Sequence, residues 1–415
     1  ETLLGDMIEA LREAQASKAP IANLADQIAQ IFVPMIIVLA LCTFLANYFY
    51  LHSFAEALLR CAAVLVISCP CALGLATPAA IMVALGLASR HGIWFKNAQS
   101  LEKAAHIRAI VFDKTGTLTQ GQPQLIDFWI PPKSNIDNKT LLSIAASLET
   151  HSNHPLAKGL LKQVLPETLL SVTHIHNVLG EGIEGEIKDI GTVRIGKPTF
   201  THACLPENLP DLWQSATVMS ITINGQTAGA LAMADTVLPS AKCAISHLKQ
   251  LHIIPYVLSG DHVRVVDQIG HEVGIDPEHS FADQLPRDKV NVIKHLVSKH
   301  HQVAMVGDGV NDAPALAQAD LGIAMGSGSD VANQTADVVL LNHSLTAVVD
   351  TLLIGKAAVT NIKQNLFFAF VYNITAIPLA ACGFFNPAIA GLTMAISSIS
   401  VIINALRLNR TSLSS

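Results

Sequence analysis

The sequence predicts an α/β domain combined with transmembrane α-helices, and three observations support this fold class. An apolar, β-rich run at 107–112 precedes the sequence DKTGTLT at 113–119, which is typical of a buried parallel strand that ends at a carboxylate. Two more apolar runs, at 253–258 and 303–307, also lead into glycine and aspartate. Hydrophobic residues make up 51% of the chain and charged residues only 14%, which is too apolar for an ordinary soluble protein of 415 residues.

Composition also limits the functions that the chain can have. The formal net charge of -6 argues against a nucleic-acid partner. The seven cysteines are odd in number and lie mostly in apolar runs, so a disulfide framework is not expected. The chain begins with Glu1 rather than methionine and shows no signal peptide, and we therefore expect a fragment or a processed chain.

Four transmembrane helices are predicted from three charge-free segments, of which the last has room for two helices around a turn at Asn386-Pro387. The predicted helices lie at about 30–50, 60–89, 362–382 and 388–408. Basic residues follow the second and the fourth helix, which predicts a cytoplasmic location for the large loop and both termini. An amphipathic segment precedes the first helix, so residues 1–106 are expected to form a cytoplasmic approach helix and two spans, and residues 357–415 two spans and a tail.

The second predicted helix contains Cys69-Pro70-Cys71. Pro70 has no N–H and would clash with the carbonyl of Val66, so the helix is expected to kink or unwind there. Broken helices at membrane depth are tolerated where they line a cavity or a site. Because two thiols flank the break, and thiolates select Cu(I) or the borderline Zn(II), Cys69 and Cys71 are candidate ligands of a transported ion.

Asp113 is the candidate nucleophile of the large loop. It ends a predicted strand, where open α/β sheets bind their ligands, and an ionised carboxylate can attack phosphorus. Lys114 can offset charge during that attack, and Thr117 can donate a hydrogen bond to a phosphoryl oxygen. Downstream, Ser259 offers a hydroxyl and Lys289 a cation to the same phosphoryl group. Asp308 and Asp312 suit Mg²⁺, which prefers a few carboxylates together with phosphate oxygens and water.

The DKTGTLT sequence resembles the phosphorylation motif of P-type ATPases, and Cys-Pro-Cys resembles that of their transition-metal branch. The resemblance implies an aspartyl-phosphate formed from ATP at Asp113, with Mg²⁺ held by Asp113, Thr115, Asp308 and Asp312. It also implies a haloacid-dehalogenase-like phosphorylation domain of Rossmann-like topology at 107–121 and 231–350. An α+β nucleotide-binding domain at 122–230 would be inserted into it.

The nucleotide contacts also follow from the resemblance, because the sequence has no Walker-type loop for ATP. Glu149 and His154 resemble the nucleotide-binding helix of the family, Gly180 and Gly182 fit a backbone approach to the nucleotide, and Asp261 is expected near it. One position departs from the family: the usual Gly-Asn pair is here Gly196-Lys197, so one nucleotide contact is altered.

The last two predicted helices match the copper pattern of the family. They contribute Tyr372, Asn373, Met394 and Ser398 to the expected ligand set beside Cys69 and Cys71. A thioether suits Cu(I), and after Lys363 no acidic residue or lysine lies in these helices to help a divalent ion. The sequence therefore predicts ATP-driven export of Cu(I), or of silver.

Two alternatives stay open at this point. A Zn(II)/Cd(II) pump would be expected to carry a charged residue in the last two helices. A membrane-anchored phosphatase of the dehalogenase type would usually carry a second aspartate two residues after the nucleophile, where this chain has Thr115.

Further expectations follow from the resemblance. The Thr-Gly-Glu motif of the family's actuator domain is absent from the sequence, so we expect an N-terminally truncated chain that does not complete the transport cycle alone. Expected partners are ATP, copper delivered by a soluble copper chaperone, and membrane lipid. The expected location is the plasma membrane, crossed several times, with the catalytic domains in the cytoplasm.

Overall fold

The computed structural model describes residues 20–69, 71–132, 134, 136–152, 154–178, 181–206, 208–214, 216–308, 312–326 and 334–413. The predicted approach helix before Pro20 lies outside the described residues. The chain divides into two compact units. The first comprises Glu1–Phe112, Cys243–Tyr256 and Leu285–Ser415, and the second Asp113–Lys242 and Val257–Gln284.

Thirteen helices are described, apart from short 3₁₀ and π turns: α1 Pro20–Leu51, α2 Phe54–Ile67, α3 Cys71–Arg90, α4 Ala98–His106, α5 Asn138–Glu149, α6 Pro155–Leu161, α7 Pro198–Thr201, α8 Ala241–Gln250, α9 Val263–Val273, α10 Pro286–His300, α11 Ala313–Gln318, α12 Thr346–Ala381 and α13 Pro387–Leu406. The described strands are β1 Ile93–Phe95, β2 Ala109–Asp113, β3 Thr119–Trp129, β4 Val172–Val178, β5 Gly182–Ile187, β6 Gly191–Gly196, β7 Thr217–Ile223, β8 Gln226–Val237, β9 Ile254–Leu258, β10 Ser280–Phe281, β11 Val303–Gly307, β12 Leu321–Met325 and β13 Val338–Leu340.

Four helical segments are long and apolar enough to cross a membrane: Gln30–Leu51, Leu73–Arg90, Thr346–Ala381 and Pro387–Arg410. They belong to α1, α3, α12 and α13, and many of their large apolar side chains are exposed. Exposed apolar surface of this extent is expected where lipid surrounds a helix. The four predicted membrane helices are therefore confirmed as candidate spans.

The helix predicted at 60–89 consists of two helices, and the break between them lies where the sequence predicts a kink or an unwound turn. Helix α2 ends at Ile67 and α3 begins at Cys71. A proline at position 70 cannot donate to the carbonyl of Val66, and the N–H of Cys69 bonds that carbonyl instead, at 3.3 Å. The N–H and the hydroxyl of Ser68 both bond the carbonyl of Val64, the hydroxyl at 2.6 Å. These bonds satisfy the carbonyls at the end of α2 without continuing the helix.

Helix α12 begins at Thr346, well before the span predicted at 362–382. The predicted start lies too far along the chain because charged residues such as Lys356 do not fit a membrane span. This first part of the helix packs on α4 and does not need to be apolar throughout. Gly355 makes the close packing possible, because a Cβ there would lie 2.8 Å from the N atom of Ala105 and 2.9 Å from the carbonyl oxygen of Leu101. The helix therefore continues without interruption from the sheet region into the membrane segment.

The predicted α/β sheet is present and has seven strands in the order β1-β13-β12-β11-β2-β9-β10. Its described pairings are parallel except for β1 with β13. Strands β2 and β11 are neighbours, and Phe112 pairs with Val306. Residues that follow β2 and β11 therefore emerge at the same edge.

The second unit contains a six-stranded antiparallel sheet in the order β3-β8-β7-β6-β5-β4. Helices α5 and α6 cover it, and Leu141, Ile144, Leu148 and Leu160 pack against inward-facing side chains of the strands. The predicted limits of the inserted domain, 122 and 230, both lie inside strands, in β3 and β8. The α/β, α+β and membrane-helix parts of the predicted fold class are all present.

Candidate functional site

Asp113 ends β2, and its side chain is only 5% exposed. The N–H of Thr115 donates to Asp113 Oδ2 at 3.0 Å, which orients the carboxylate. Residues 114–118 form a tight turn in which Gly116 has φ +70°, a left-handed conformation that glycine adopts at little cost. The turn therefore presents the carboxylate with an N–H group already directed at it.

Three carboxylates gather at this edge of the parallel sheet. Oxygen atoms of Asp113, Asp308 and Asp312 all lie within 4.8 Å of one another, and two of the three side chains are buried. The register of β2 with β11 accounts for this, because Asp113 follows Phe112 and Asp308 comes two residues after Val306. Hard oxygen ligands at this spacing fit Mg²⁺, which would also offset their mutual repulsion. Thr115, the fourth predicted magnesium ligand, is exposed beside Asp113.

Lys289 and Asp312 form a buried ion pair. Lys289 lies in the first turn of α10, and its Nζ is 2.7 Å from Asp312 Oδ1, with side-chain exposures of 9% and 3%. A buried pair of this kind is costly to break, since removing one partner leaves the other charge uncompensated. The pair fixes Asp312 at the edge of the carboxylate cluster and keeps a cation next to it.

Lys114 pairs with Asp261, a contact that the sequence did not predict. Lys114 Nζ contacts Asp261 Oδ2, and the lysine is buried while the aspartate is partly exposed. Ser259, which follows β9, accepts a hydrogen bond from the N–H of Asp261 at 3.2 Å and is 3% exposed. Asp261 was predicted as a nucleotide contact, and its carboxylate contacts the lysine beside Asp113.

Thr117 is the candidate phosphoryl-binding residue with the clearest structural signal. Its side chain has no exposed surface, and among the described residues its Oγ1 has no hydrogen-bond partner. An unpaired buried hydroxyl costs about 1–3 kcal/mol. Such a cost in the turn that follows Asp113 is expected where a ligand oxygen completes the bond.

Asp235 is a residue of the site that the sequence interpretation did not include among the candidates. Its Oδ2 contacts Thr119 Oγ1, which also donates to the carbonyl of Lys114 at 2.9 Å. Burial raises the pKa of Asp235, and the hydrogen bond from Thr119 and the charge of Lys114 offset part of this rise. The local sequence marks Asp235 only as part of the segment that returns to the phosphorylation domain, because its contact with Thr119 joins distant parts of the chain.

A separate cavity of about 640 Å³ lies in the six-stranded unit. Glu149, His154, Gly182 and Lys197 all line it, so three predicted nucleotide contacts and the departing lysine meet there. This volume is in the range of small-ligand pockets. Gly180 lies outside the described residues.

Local structure explains how the cavity forms. Glu149 ends α5, and burial raises its pKa, an effect that the hydrogen bond with Ser152 reduces. His154 caps α6 through Nδ1, which accepts from the N–H of Leu156 at 3.3 Å. A Cβ at Gly182 would lie 2.3 Å from the carbonyl oxygen of Ile195, so only glycine permits this approach of β5 to β6.

Lys197 is tied to Glu181 at the cavity. Its N–H donates to the carbonyl of Glu181 at 2.9 Å, and its Nζ lies 3.6 Å from Glu181 Oε1. Both side chains are largely exposed, so the ion pair contributes little to stability. The lysine that replaces the expected asparagine is therefore available to other anions.

The predicted ion ligands lie on three helices. Cys69 is half-buried between α2 and α3, and Cys71 begins α3, with a side chain outside the described residues. Asn373, Met394 and Ser398 are half-buried, as is Tyr372, whose hydroxyl lies 3.3 Å from Ser400 Oγ.

Two further hydroxyls in these helices were not predicted. Thr77 on α3 and Ser397 on α13 are 2% and 4% exposed, and within the described ranges neither has a hydrogen-bond partner. The sequence pattern could not distinguish Ser397 from the adjacent Ser398, because both are serines in an uncharged helix.

Comparisons with known proteins match nearly all of the chain. A family model for haloacid dehalogenase-like hydrolases matches residues 107–320, just over half of the sequence, and a second model of the same description matches 289–352. The probable copper-importing P-type ATPase A of Enterococcus hirae is 44% identical over 99% of this chain and 56% of its own length. The copper-exporting P-type ATPase of Bacillus subtilis is 42% identical over 99% of this chain and 52% of its own length.

The chain thus spans little more than half the length of these curated relatives. Among solved structures, a zinc-transporting PIB-type ATPase in the E2.Pi state is similar, with a TM-score of 0.82 and 32% identity. That similarity covers 97% of this chain and 67% of the other.

Proposed function

The chain belongs to the PIB-type branch of the P-type ATPases, and from this premise we propose that it forms the phosphorylated and ion-binding part of a Cu(I)-exporting pump. The observation that carries the proposal is the arrangement around Asp113. A buried carboxylate, two neighbouring carboxylates suited to Mg²⁺ and the unpaired hydroxyl of Thr117 meet at one edge of the sheet.

The proposed reaction is transfer of the γ-phosphoryl group of ATP to Asp113. An oxygen of Asp113 forms a bond to the γ-phosphorus, the bond from that phosphorus to the bridging oxygen breaks, and ADP leaves with the bonding electrons. Thr117 donates to an oxygen of the transferred group, and Lys114 offsets its negative charge. Bound Mg²⁺, held by Asp113, Asp308 and Asp312 with Thr115 nearby, would neutralise phosphate charge.

We propose that the cavity of the six-stranded unit holds the nucleotide. Glu149 lines this cavity, and its carboxylate can accept a hydrogen bond from an exocyclic amino group of a nucleotide base. Gly182 allows the nucleotide to approach the main chain. Lys197, the exposed cation of this cavity, can contact a phosphate group in place of the missing asparagine.

For the transported ion, the residues favour Cu(I) over a divalent metal. Cys69, Cys71 and Met394 are soft sulfur ligands, and no carboxylate lies in α12 after Asp350 or in α13. The Enterococcus hirae and Bacillus subtilis relatives are both named for copper, although for opposite directions. The similarity to a zinc-transporting structure supports the fold. A Zn(II) site would need charge compensation beyond these two cysteines.

We propose an orientation that follows the positive-inside rule: the catalytic units face the cytoplasm of a cell whose plasma membrane the four helices cross. A soluble copper chaperone is the proposed donor of the ion, since free Cu(I) is held tightly by soft ligands.

The test is phosphorylation from γ-labelled ATP with Mg²⁺, on this chain and on Asp113→Asn. We expect acid-stable, base-labile label on the unchanged chain and none on the variant. Repeating the assay with Cu(I) and with Zn(II), and with both cysteines replaced by serine, tests the ion. Equal labelling of Asp113→Asn would refute the assigned nucleophile, and stimulation by Zn(II) alone would refute the copper assignment.

A further inference from the structure

Three buried asparagine side chains meet where α3, α12 and α13 pack together. Asn361 and Asn365 lie on α12 and Asn404 on α13, with exposures of 5%, 0% and 4%. None of them belongs to the predicted ligand set. Amide groups in an apolar helix bundle are costly unless each donor and acceptor is paired, so their partners decide what the cluster does.

Asn365 joins all three helices through one amide. Its Nδ2 donates to the main-chain carbonyl of Ala76 on α3 at 3.0 Å and to Asn361 Oδ1 at 3.2 Å. Its Oδ1 accepts from Asn404 Nδ2 at 2.9 Å. Both hydrogens and the oxygen of this side chain are therefore used.

The remaining members of the network are paired as well. Asn361 Nδ2 donates to the main-chain carbonyl of Asn404 at 2.7 Å. The second hydrogen of Asn404 Nδ2 is directed to Gln364 Oε1 at 3.3 Å, and Arg407 donates to Asn404 Oδ1 at 3.3 Å. In this network the amide nitrogen and oxygen of all three asparagines have at least one partner, and in a low-dielectric interior such a network favours one arrangement of the helices, because a shift breaks some of these bonds.

Apolar packing at the same place would not select one arrangement as strictly. Ala76, Ala369 and Val401 contact one another beside the network, and small smooth side chains permit close approach. Such surfaces tolerate sliding, whereas the bond from Asn365 ends on one particular carbonyl of α3. The network therefore specifies the register in which α12 meets α3.

The network lies close to every group of predicted ion ligands along the helices. Asn365 precedes Tyr372 by seven residues, Asn404 follows Met394 by ten, and Ala76 follows Cys71 by five. At 1.5 Å per residue these separations are about 8–15 Å. Because seven residues are about two turns, Asn365 and Tyr372 also face the same side of α12.

We propose that Asn365 is a positioning residue of the ion site. It holds α12 and α13 in register with α3, so that ligands from three helices converge on one ion. The inference rests on the proposed function, because the ligands it positions are those of the proposed Cu(I) site. It adds a residue that acts through Cys69, Cys71, Tyr372 and Met394 without touching the ion.

The test compares Asn365→Ala with Asn47→Ala in the full chain, reconstituted in lipid nanodiscs. Asn47 is a matched control, because its Nδ2 donates to the main-chain carbonyl of Ala381 at 3.1 Å and joins α1, which carries no predicted ligand, to α12. Cu(I) affinity is measured by competition with a chromogenic Cu(I) chelator, sulfur coordination by X-ray absorption, and stability by thermal unfolding.

We expect Asn365→Ala to lower Cu(I) affinity by roughly tenfold or more and to reduce the sulfur coordination number. Asn47→Ala should unfold at a lower temperature as well, but its Cu(I) affinity and absorption spectrum should match those of the unchanged chain. Asn365→Ala with unchanged affinity and coordination would overturn the positioning role.

Two further arms keep the outcomes separate. If Asn365→Ala does not fold, Asn365→Leu, which fills a similar volume but removes the same hydrogen bonds to Ala76, Asn361 and Asn404, is measured instead. Reduced Cu(I) affinity in that variant supports the inference, and unchanged affinity overturns it. If the unchanged chain binds no Cu(I), or binds it equally with both cysteines replaced by serine, the proposed function fails rather than the role of Asn365.

Discussion

Replacing Thr117 with valine should stabilise the chain and at the same time slow its phosphorylation. Valine has nearly the same shape as threonine but lacks the hydroxyl, which is fully buried and has no partner among the described residues. Removing an unpaired buried hydroxyl should recover about 1 kcal/mol, at the low end of the penalty of about 1–3 kcal/mol. For a domain of about 150–250 residues, this corresponds to a rise in unfolding temperature of roughly 2–4 °C.

The effect of Thr117→Val on the reaction should have the opposite sign. If Thr117 donates to the transferred phosphoryl group, the variant lacks one preorganised donor in the transition state. Loss of such a donor typically slows a reaction about 10²–10³-fold. The assay is single-turnover phosphorylation from γ-labelled ATP, with thermal unfolding measured on the same preparation.

Thr119→Val is the matched control for this experiment. Thr119 is equally buried and directly follows the same turn, but its hydroxyl donates to the carbonyl of Lys114 and contacts Asp235. Its replacement should destabilise the chain by about 1 kcal/mol, because existing hydrogen bonds are lost. A Thr117→Val variant that unfolds at a lower temperature, or that is phosphorylated at the normal rate, would refute the reasoning about the unpaired hydroxyl.

Three more predictions follow from the buried charges and the close strand contact. Lys289→Met leaves Asp312 buried without its cation, so the free energy of unfolding, measured with denaturant, should fall by about 3–5 kcal/mol. Combining Lys289→Met with Asp312→Leu should recover most of that loss. Asp235 has a folded-state pKa above its unfolded value of about 3.9, so its ionisation destabilises the fold as pH rises through the folded-state pKa. Asp235→Asn should therefore gain unfolding temperature relative to the unchanged chain at pH 7 and show no gain below about pH 3.9; a gain that is the same at both pH values would contradict the raised pKa. Gly182→Ala places a Cβ 2.3 Å from the carbonyl oxygen of Ile195, so β5 and β6 must separate. The affinity for ATP, measured by calorimetry, should then fall at least tenfold. Unchanged affinity would mean that the nucleotide binds elsewhere.

The sequence predicted those parts of the fold and site that local chemistry determines. Apolar runs that end in aspartate revealed β2 and β11, and their parallel pairing then follows from the sheet, so the meeting of Asp113, Asp308 and Asp312 was predictable. Charge-free length revealed the four candidate spans. Pro70 indicated that the second predicted helix, at 60–89, would be interrupted.

Contacts between distant segments could not be predicted in the same way. The pairing of Lys114 with Asp261 and of Lys289 with Asp312 depends on which side chains the folded sheet brings together. The early start of α12 depends on Gly355 packing on α4, and charged residues concealed it because hydropathy reveals only the apolar part of a helix. Unpaired hydroxyls such as Thr117 become visible only when their surroundings are known.

The uninterrupted course of α12 has a mechanical consequence. The helix packs tightly on α4 at Gly355, nine residues after Thr346 and seventeen before Tyr372, which would make this glycine a pivot point for the helix. At 1.5 Å per residue the two arms are about 14 Å and 26 Å long. A rigid helix pivoting there would turn a displacement of ~1 Å at its first residue into one of ~2 Å at Tyr372. That is close to the length of a bond between a metal and its ligand, so such a movement beside the sheet would be enough to open or close the proposed ion site.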